Sequence, residues 1–296
     1  MKIKLVLLCF VMTLMSCSKN DDASCLSDDM VSVNVKLSGF TITQDTRTLG
    51  KKSDQYGDDA LTAGVRFISF SVFDSQNKKQ VDIVQSSSDT NFGVISFSIT
   101  PGSYKILAVA HTGSKGEFVI ESSTNVKYPA DIFYETFCGS TDVELNSSSK
   151  DLELSLGRIS SRLDIKSSES IPDEAKKLRL SVGDITKERY SSLFFNPSTG
   201  CMKDFGVDGY YTNTKTLNPA LGVDMKFNLL LNKEQCTLPV LVEVLDDNDQ
   251  VLYSHKLDEV SFRRSAITTA TGTLFAGWKE SVTFQTAWSE GTNITF

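Results

Sequence analysis

Val31, Val33, Val35 and Leu37 alternate with Ser32, Asn34, Lys36 and Ser38. A period of two puts all four apolar side chains on one face of a half-buried β-strand. Burying them would contribute roughly 6–12 kcal/mol gross, at about 1.5–3 kcal/mol per side chain. Val65–Phe73 is β-branched and aromatic, Asp74–Lys79 is turn-like, and Gln80–Gln85 reads as the returning strand. Val94–Ile99 alternates through Ile95, Phe97 and Ile99, and Pro101-Gly102 then marks a turn. Tyr104–Ala110 is nearly all apolar, which predicts a central strand covered on both faces. Ser114–Tyr134 carries no firm helix.

The second half continues the pattern. Asp142–Leu145 is a short strand before the Asn146–Lys150 turn, and Leu152, Leu154 and Leu156 alternate. So do Ile159, Ser161, Leu163 and Ile165, after an interruption at Gly157. Strands are also expected over Leu178–Val182, Lys226–Leu231, Pro239–Leu245, Gln250–Leu257, Ala266–Phe275 and Glu280–Thr286. Phe195–Gly200 is a turn, Asp246–Asp249 a hairpin loop, and a short tail ends at Ile294 and Phe296. Glu169–Lys177 could hold one helical turn, with Pro172 at a first helical position and Asp173 and Glu174 behind it.

Short strands at roughly ten-residue spacing with polar turns predict an all-β chain of β-sandwiches. The 296 residues suit two in tandem, over 30–154 and 155–296. Hydrophobic residues at 40% and charged residues at 23% support a packed core. The net charge of -7 argues against nucleic acid as a partner, because that surface needs clustered cations.

The first residues carry targeting information. Lys2 and Lys4 precede an apolar run from Leu5 to Met15, broken only by Thr13 and too short to span a bilayer. Residues 1–16 therefore read as a signal peptide. Its ending, Leu14-Met15-Ser16-Cys17, resembles a bacterial lipoprotein box, although Met15 is larger than the residue usual there. Cys17 would become the acylated N-terminus, and more than one acyl chain would hold the protein at a membrane without a spanning helix. Residues 17–29 form a polar tether in which Ser18-Lys19-Asn20-Asp21-Asp22 resembles the surface-export signal of Bacteroidetes lipoproteins. Beyond the first strand, Thr43–Ala60 is a long polar loop that contains Arg47.

Candidate chemistry is sparse. His111 and His255 are the only histidines, and both read as structural. No GxSxG, HExxH, GxxxxGK or GxGxxG motif is present. The Asp246–Asp249 run lacks the Gly and distal Glu of an EF-hand and reads as a solvated hairpin loop. Catalytic, cofactor and metal sites are therefore expected to be none. Cys25, Cys138, Cys201 and Cys236 remain after the signal and Cys17; they allow three pairings, and free thiols are as good a reading as disulfides.

Four phrases in order resemble the Bacteroidales fimbrillin superfamily. They are Phe67–Asp74, Ile99–Gly113 with its Pro-Gly-x-Tyr turn, Leu156–Ile165 with Arg158 and Arg162, and Arg263-Arg264 with Thr268–Phe275. The resemblance implies two transthyretin-like sandwiches, export as a lipoprotein, and non-enzymatic work at the cell outer membrane or in a fimbrium. In shaft-type members an Arg-specific protease cuts behind the first strand, which a neighbouring subunit's C-terminal segment replaces. Arg47, in Asp45-Thr46-Arg47-Thr48-Leu49, occupies the matching position, and Val31, Val33, Val35 and Leu37 would be the core face of the removable strand. The implied partners are other fimbrial subunits, and the outer membrane through lipid on Cys17.

Two alternatives stand beside this shaft or accessory reading. Anchor-type members keep the first strand and carry a Cys-Pro pair and an aromatic-rich first strand; here Cys25 precedes Leu26 and the strand is aliphatic. The other alternative is a surface lipoprotein that binds glycan or host protein through an intact sandwich.

Overall fold

A computed structural model describes residues 30–38, 65–113, 118–128, 134–146, 148–191, 193–203, 209–275 and 292–295. The described residues are all β. The first alternation becomes β1 (Val31–Ser38). It is followed by β2 (Phe67–Asp74), β3 (Lys79–Ser86), β4 (Val94–Ile99) and β5 (Gly102–His111). Two short strands, β6 (Val119–Ser122) and β7 (Asn125–Tyr128), precede β8 (Thr136–Leu145), β9 (Lys150–Ser155) and β10 (Gly157–Arg158). These strands build a sheet of order β4-β1-β9 and another of order β10-β8-β5-β2-β3.

The second half repeats that logic. Its strands are β11 (Ser160–Ser167), β12 (Lys177–Gly183), β13 (Glu188–Arg189), β14 (Leu193–Asn196), β15 (Cys201–Met202) and β16 (Gly209–Thr216). They continue with β17 (Val223–Leu230), β18 (Gln235–Leu245), β19 (Val251–Arg263), β20 (Ile267–Thr271) and β21 (Thr292–Thr295). One sheet runs β17-β11-β20-β21 and the other β13-β16-β12-β18-β19. β1 lies between an antiparallel β4 and a parallel β9, and β11 lies between an antiparallel β17 and a parallel β20. The strand order is thus duplicated although the sequence shows no exact repeat. A fifth sheet, β15-β14-β7-β6, joins the halves by pairing Val126 with Phe195.

Period-two alternation explains how β5 is buried on both faces. Ile106, Ala108 and Ala110 enter the core shared with β1, and Leu107 and Val109 enter a second core with the later strands. The Pro-Gly-x-Tyr turn is closed by Tyr104, whose hydroxyl donates to the Thr100 carbonyl at 2.9 Å. Pro239 lies inside β18 where the register slips between Leu238 and Val240, since a proline has no N–H for the ladder.

Several expectations shift. Pro172 opens a turn, closed by the Ala175 N–H on the Pro172 carbonyl at 3.0 Å, and no helix follows. Asp142–Leu145 is the end of a strand that begins at Thr136. Thr292–Thr295, expected as tail, pairs in parallel with β20. Glu280–Thr286 lies outside the described residues.

The ends of β12 and β16 meet closely. Gly183 has φ +109°, and a Cβ there would lie 2.5 Å from the Gly209 carbonyl oxygen. Gly183→Ala is expected to cost about 1–3 kcal/mol, because both the backbone and the neighbour would have to move. Urea unfolding of the two proteins measures it.

Candidate functional site

The slot occupied by β1 is the feature with the clearest capacity for function. Val31, Val33, Val35 and Leu37 are each 0% exposed. They share a core with Ile68, Phe70, Ile95, Ile106, Ala108 and Leu154. On one side β1 pairs from Val31↔Ile99 to Lys36↔Val94. On the other it pairs from Val33↔Lys150 to Ser38↔Ser155. The parallel partner requires a long connection, and here the chain crosses from residue 38 to residue 150 before it returns.

The outward face adds a polar tie. Ser96 donates its hydroxyl to Asn34 Oδ1 at 2.8 Å, and Asn34 Nδ2 donates to Asp151 Oδ1 at 2.9 Å. One side chain thus links β1 to both neighbours. Sequence reasoning missed this link: the alternation shows that Asn34 points outward, but not that Asp151, 117 residues away, stands beside it. At the C-terminal end the Leu37 N–H donates to the Gly93 carbonyl at 2.9 Å. Removal of β1 would expose four apolar positions and two rows of unpaired backbone groups, on β4 and on β9.

The structure brings Val31, Val33, Val35 and Leu37 together. Cys17 and Arg47 lie outside the described residues. By sequence Arg47 falls within the 26 residues that separate Ser38 from Val65.

No family model matches the chain, and no curated protein matches it. Solved structures do. A candidate adhesin from Bacteroides ovatus shares 14% identity over 76% of this chain and 77% of its own, with a TM-score of 0.48. A fimbrial assembly protein from Parabacteroides distasonis shares 10% identity over 90% of this chain and 98% of its own, with a TM-score of 0.47. The fimbrial anchor protein Mfa2 from Porphyromonas gingivalis shares 12% identity over 77% of this chain and 82% of its own, with a TM-score of 0.39.

The remaining sequence candidates have structural positions. His111 is 1% exposed, stacked 4.1 Å from the Phe118 ring and 5.9 Å from Phe67. Its Nδ1 accepts the Gly113 N–H at 3.2 Å, and burial pushes its pKa down to about 4. His255 Nε2 lies 3.0 Å from the Leu274 carbonyl oxygen inside the second core. Arg158 is buried against Glu135 at 2.6 Å with its guanidinium 5.0 Å from the Phe137 ring centre. Arg162 grips Asp164 with two bonds, of 2.7 and 3.0 Å. Arg264 reaches the Thr199 carbonyl and Glu234.

Cys138, Cys201 and Cys236 are free thiols, and Cys25 lies outside the described residues. Cys138 donates to the Pro197 carbonyl at 3.0 Å. Burial pushes its thiol up to about 12 and that of Cys236 up to about 11, so neither supplies a thiolate near neutrality. The Asp246 carboxylate serves its own hairpin, accepting the Asn248 and Gln250 N–H groups at 2.8 Å each. Asp74 does the same at the β2–β3 turn, for Gln76 and Lys78 at 2.9 Å each. Both turns place a non-glycine residue, Asn77 or Asp249, at positive φ.

Proposed function

We propose that this chain is a structural subunit of a surface fimbrium. It is exported as a lipoprotein acylated on Cys17, cut after Arg47, and assembled by donor-strand exchange. Its two transthyretin-like sandwiches, over 30–154 and 155–296, stand in tandem, and the assembly supports adhesion without catalysis. The observation that supports this reading is the place of β1. It is the middle strand of its sheet, it contributes four fully buried apolar side chains, and a long connection containing Arg47 separates it from β2.

The physics of such an exchange is direct. Loss of β1 leaves an apolar groove with a hydrogen-bonding edge on each side, and a strand with the same alternation restores both. The segment around Val282 and Phe284, which alternate with Thr283 and Gln285, has that period and is the donor in this proposal. With Val282 and Phe284 on its apolar face, the incoming strand recovers roughly 3–6 kcal/mol of apolar burial, at about 1.5–3 kcal/mol per side chain. Intact protein does not polymerise, because β1 fills the slot.

Digestion of the purified precursor with an Arg-specific protease tests the proposal. The expected products begin at Thr48 and form a polymer ladder that resists mild denaturation. Arg47→Ala is expected to abolish both. Equal assembly by Arg47→Ala would reject cleavage at this position as the trigger. Fatty-acid label that persists in Cys17→Ala would reject the lipid anchor.

A further inference from the structure

We infer that the outer face of the β13-β16-β12-β18-β19 sheet is a binding trough for a carboxylate-bearing polysaccharide. Three adjoining depressions of about 80, 370 and 560 Å³ cross this face. Ile185 and Leu241 are shared by the first two, and Arg179, Arg189 and Thr212 by the second and third, so they form one continuous trough.

Strand register explains its floor. Thr216 stands beside Lys177, Thr214 beside Arg179, and Thr212 beside Ser181. Hydroxyls on one strand therefore repeat every second residue, about 6.7 Å apart, and the next strand adds a row about 4.8 Å away. In the following row Tyr210 pairs with Gly183, which brings no side chain to the face. On the short β13, Arg189 pairs with Tyr210, and both residues line the middle depression.

Charge selects the ligand class. Arg179 Nε is bonded to Glu243 at 2.8 Å and Lys177 Nζ to Asp249 at 2.7 Å. Arg189 is exposed and has no carboxylate partner among the described residues. An incoming carboxylate can take both arms of that planar fork, and sugar hydroxyls can exchange bonds with the threonine rows. A protein partner fits less well, because the basic end has hydroxyls and satisfied ion pairs where a protein interface centres on buried aromatic or aliphatic anchors. The trough lies on the second pair of sheets, so it is independent of β1 and of any cleavage at Arg47.

Titration of the purified full chain with polygalacturonate, its fully methyl-esterified form and polyglutamate tests the assignment. Polygalacturonate is expected to bind at low salt, weaken as salt rises, and bind at least about tenfold more tightly than the ester, which has lost its charge. Arg189→Ala is expected to lose about tenfold on polygalacturonate with unchanged unfolding behaviour, since the side chain is exposed. Equal binding of the ester, an unchanged Arg189→Ala affinity, or binding of polyglutamate as tight as that of the sugar polymer would each overturn the assignment.

Discussion

Val35→Asp is expected to lower stability by about 4 kcal/mol or more, which places it among the most damaging single changes available to the first core. Val35 is 0% exposed and lies between Ile95 on β4 and Leu152 on β9. The substitution removes the apolar burial and leaves a carboxylate with no partner in a core of Ile, Val, Leu and Phe side chains. The adjacent substitution, Asn34→Ala, breaks two exposed side-chain bonds and is expected to cost about 1 kcal/mol. Urea unfolding of both variants reads the difference. Similar losses at positions 34 and 35 would contradict the register that places Val35 inward.

Acid is expected to weaken the protein through His111. The ring is held in a stack with Phe118 and Phe67, and burial pushes its pKa down to about 4 from an ordinary 6.5. Between these values the unfolded chain binds a proton that the folded chain refuses, so stability rises with pH across that window. The contribution is complete above pH 6.5, falls progressively as pH drops, and is fully lost near pH 4. Its size is about 3 kcal/mol at about 1.4 kcal/mol per pH unit. His111→Phe keeps the stack and removes the proton, at the cost of the acceptor for Gly113. Unfolding curves at pH 7 and pH 4.5 are expected to show a smaller acid loss in His111→Phe than in the native chain. Identical acid losses would place the titration elsewhere.

Much of the first core was legible because it obeys a period. Val31 to Leu37 and Tyr104 to Ala110 announce a one-faced strand and a two-faced strand, and both form as such. What covers the second face of β5 was not legible, since its partners lie in the other half of the chain. β16 escaped notice for a different reason. Its sequence, Gly-Tyr-Tyr-Thr-Asn-Thr-Lys-Thr, buries Tyr211 and Asn213, so its inward face is partly polar and the hydrophobic alternation fades. β7 and β14 are four residues each, too short to show a period, and they pair with one another across the two halves of the chain.

The candidate slot was half legible. Its core face follows from alternation, whereas the parallel partner and the Ser96–Asn34–Asp151 tie depend on pairing across more than a hundred residues. The trough on the later sheet left no linear trace. Arg179, Arg189 and Tyr210 come from three strands, and register alone brings them into one row after another. The duplicated strand order was hidden in the same way, because equivalent strands share a period and a neighbour but no residue pattern.

In the proposed assembly β1 is a removable strand. N-terminal sequencing of the protein recovered from intact cells in its assembled form tests it most directly. Thr48 is expected as the first residue, with Val31–Ser38 absent from the assembled chain. A surface protein that begins at the acylated Cys17 and retains β1 in its polymers would contradict it.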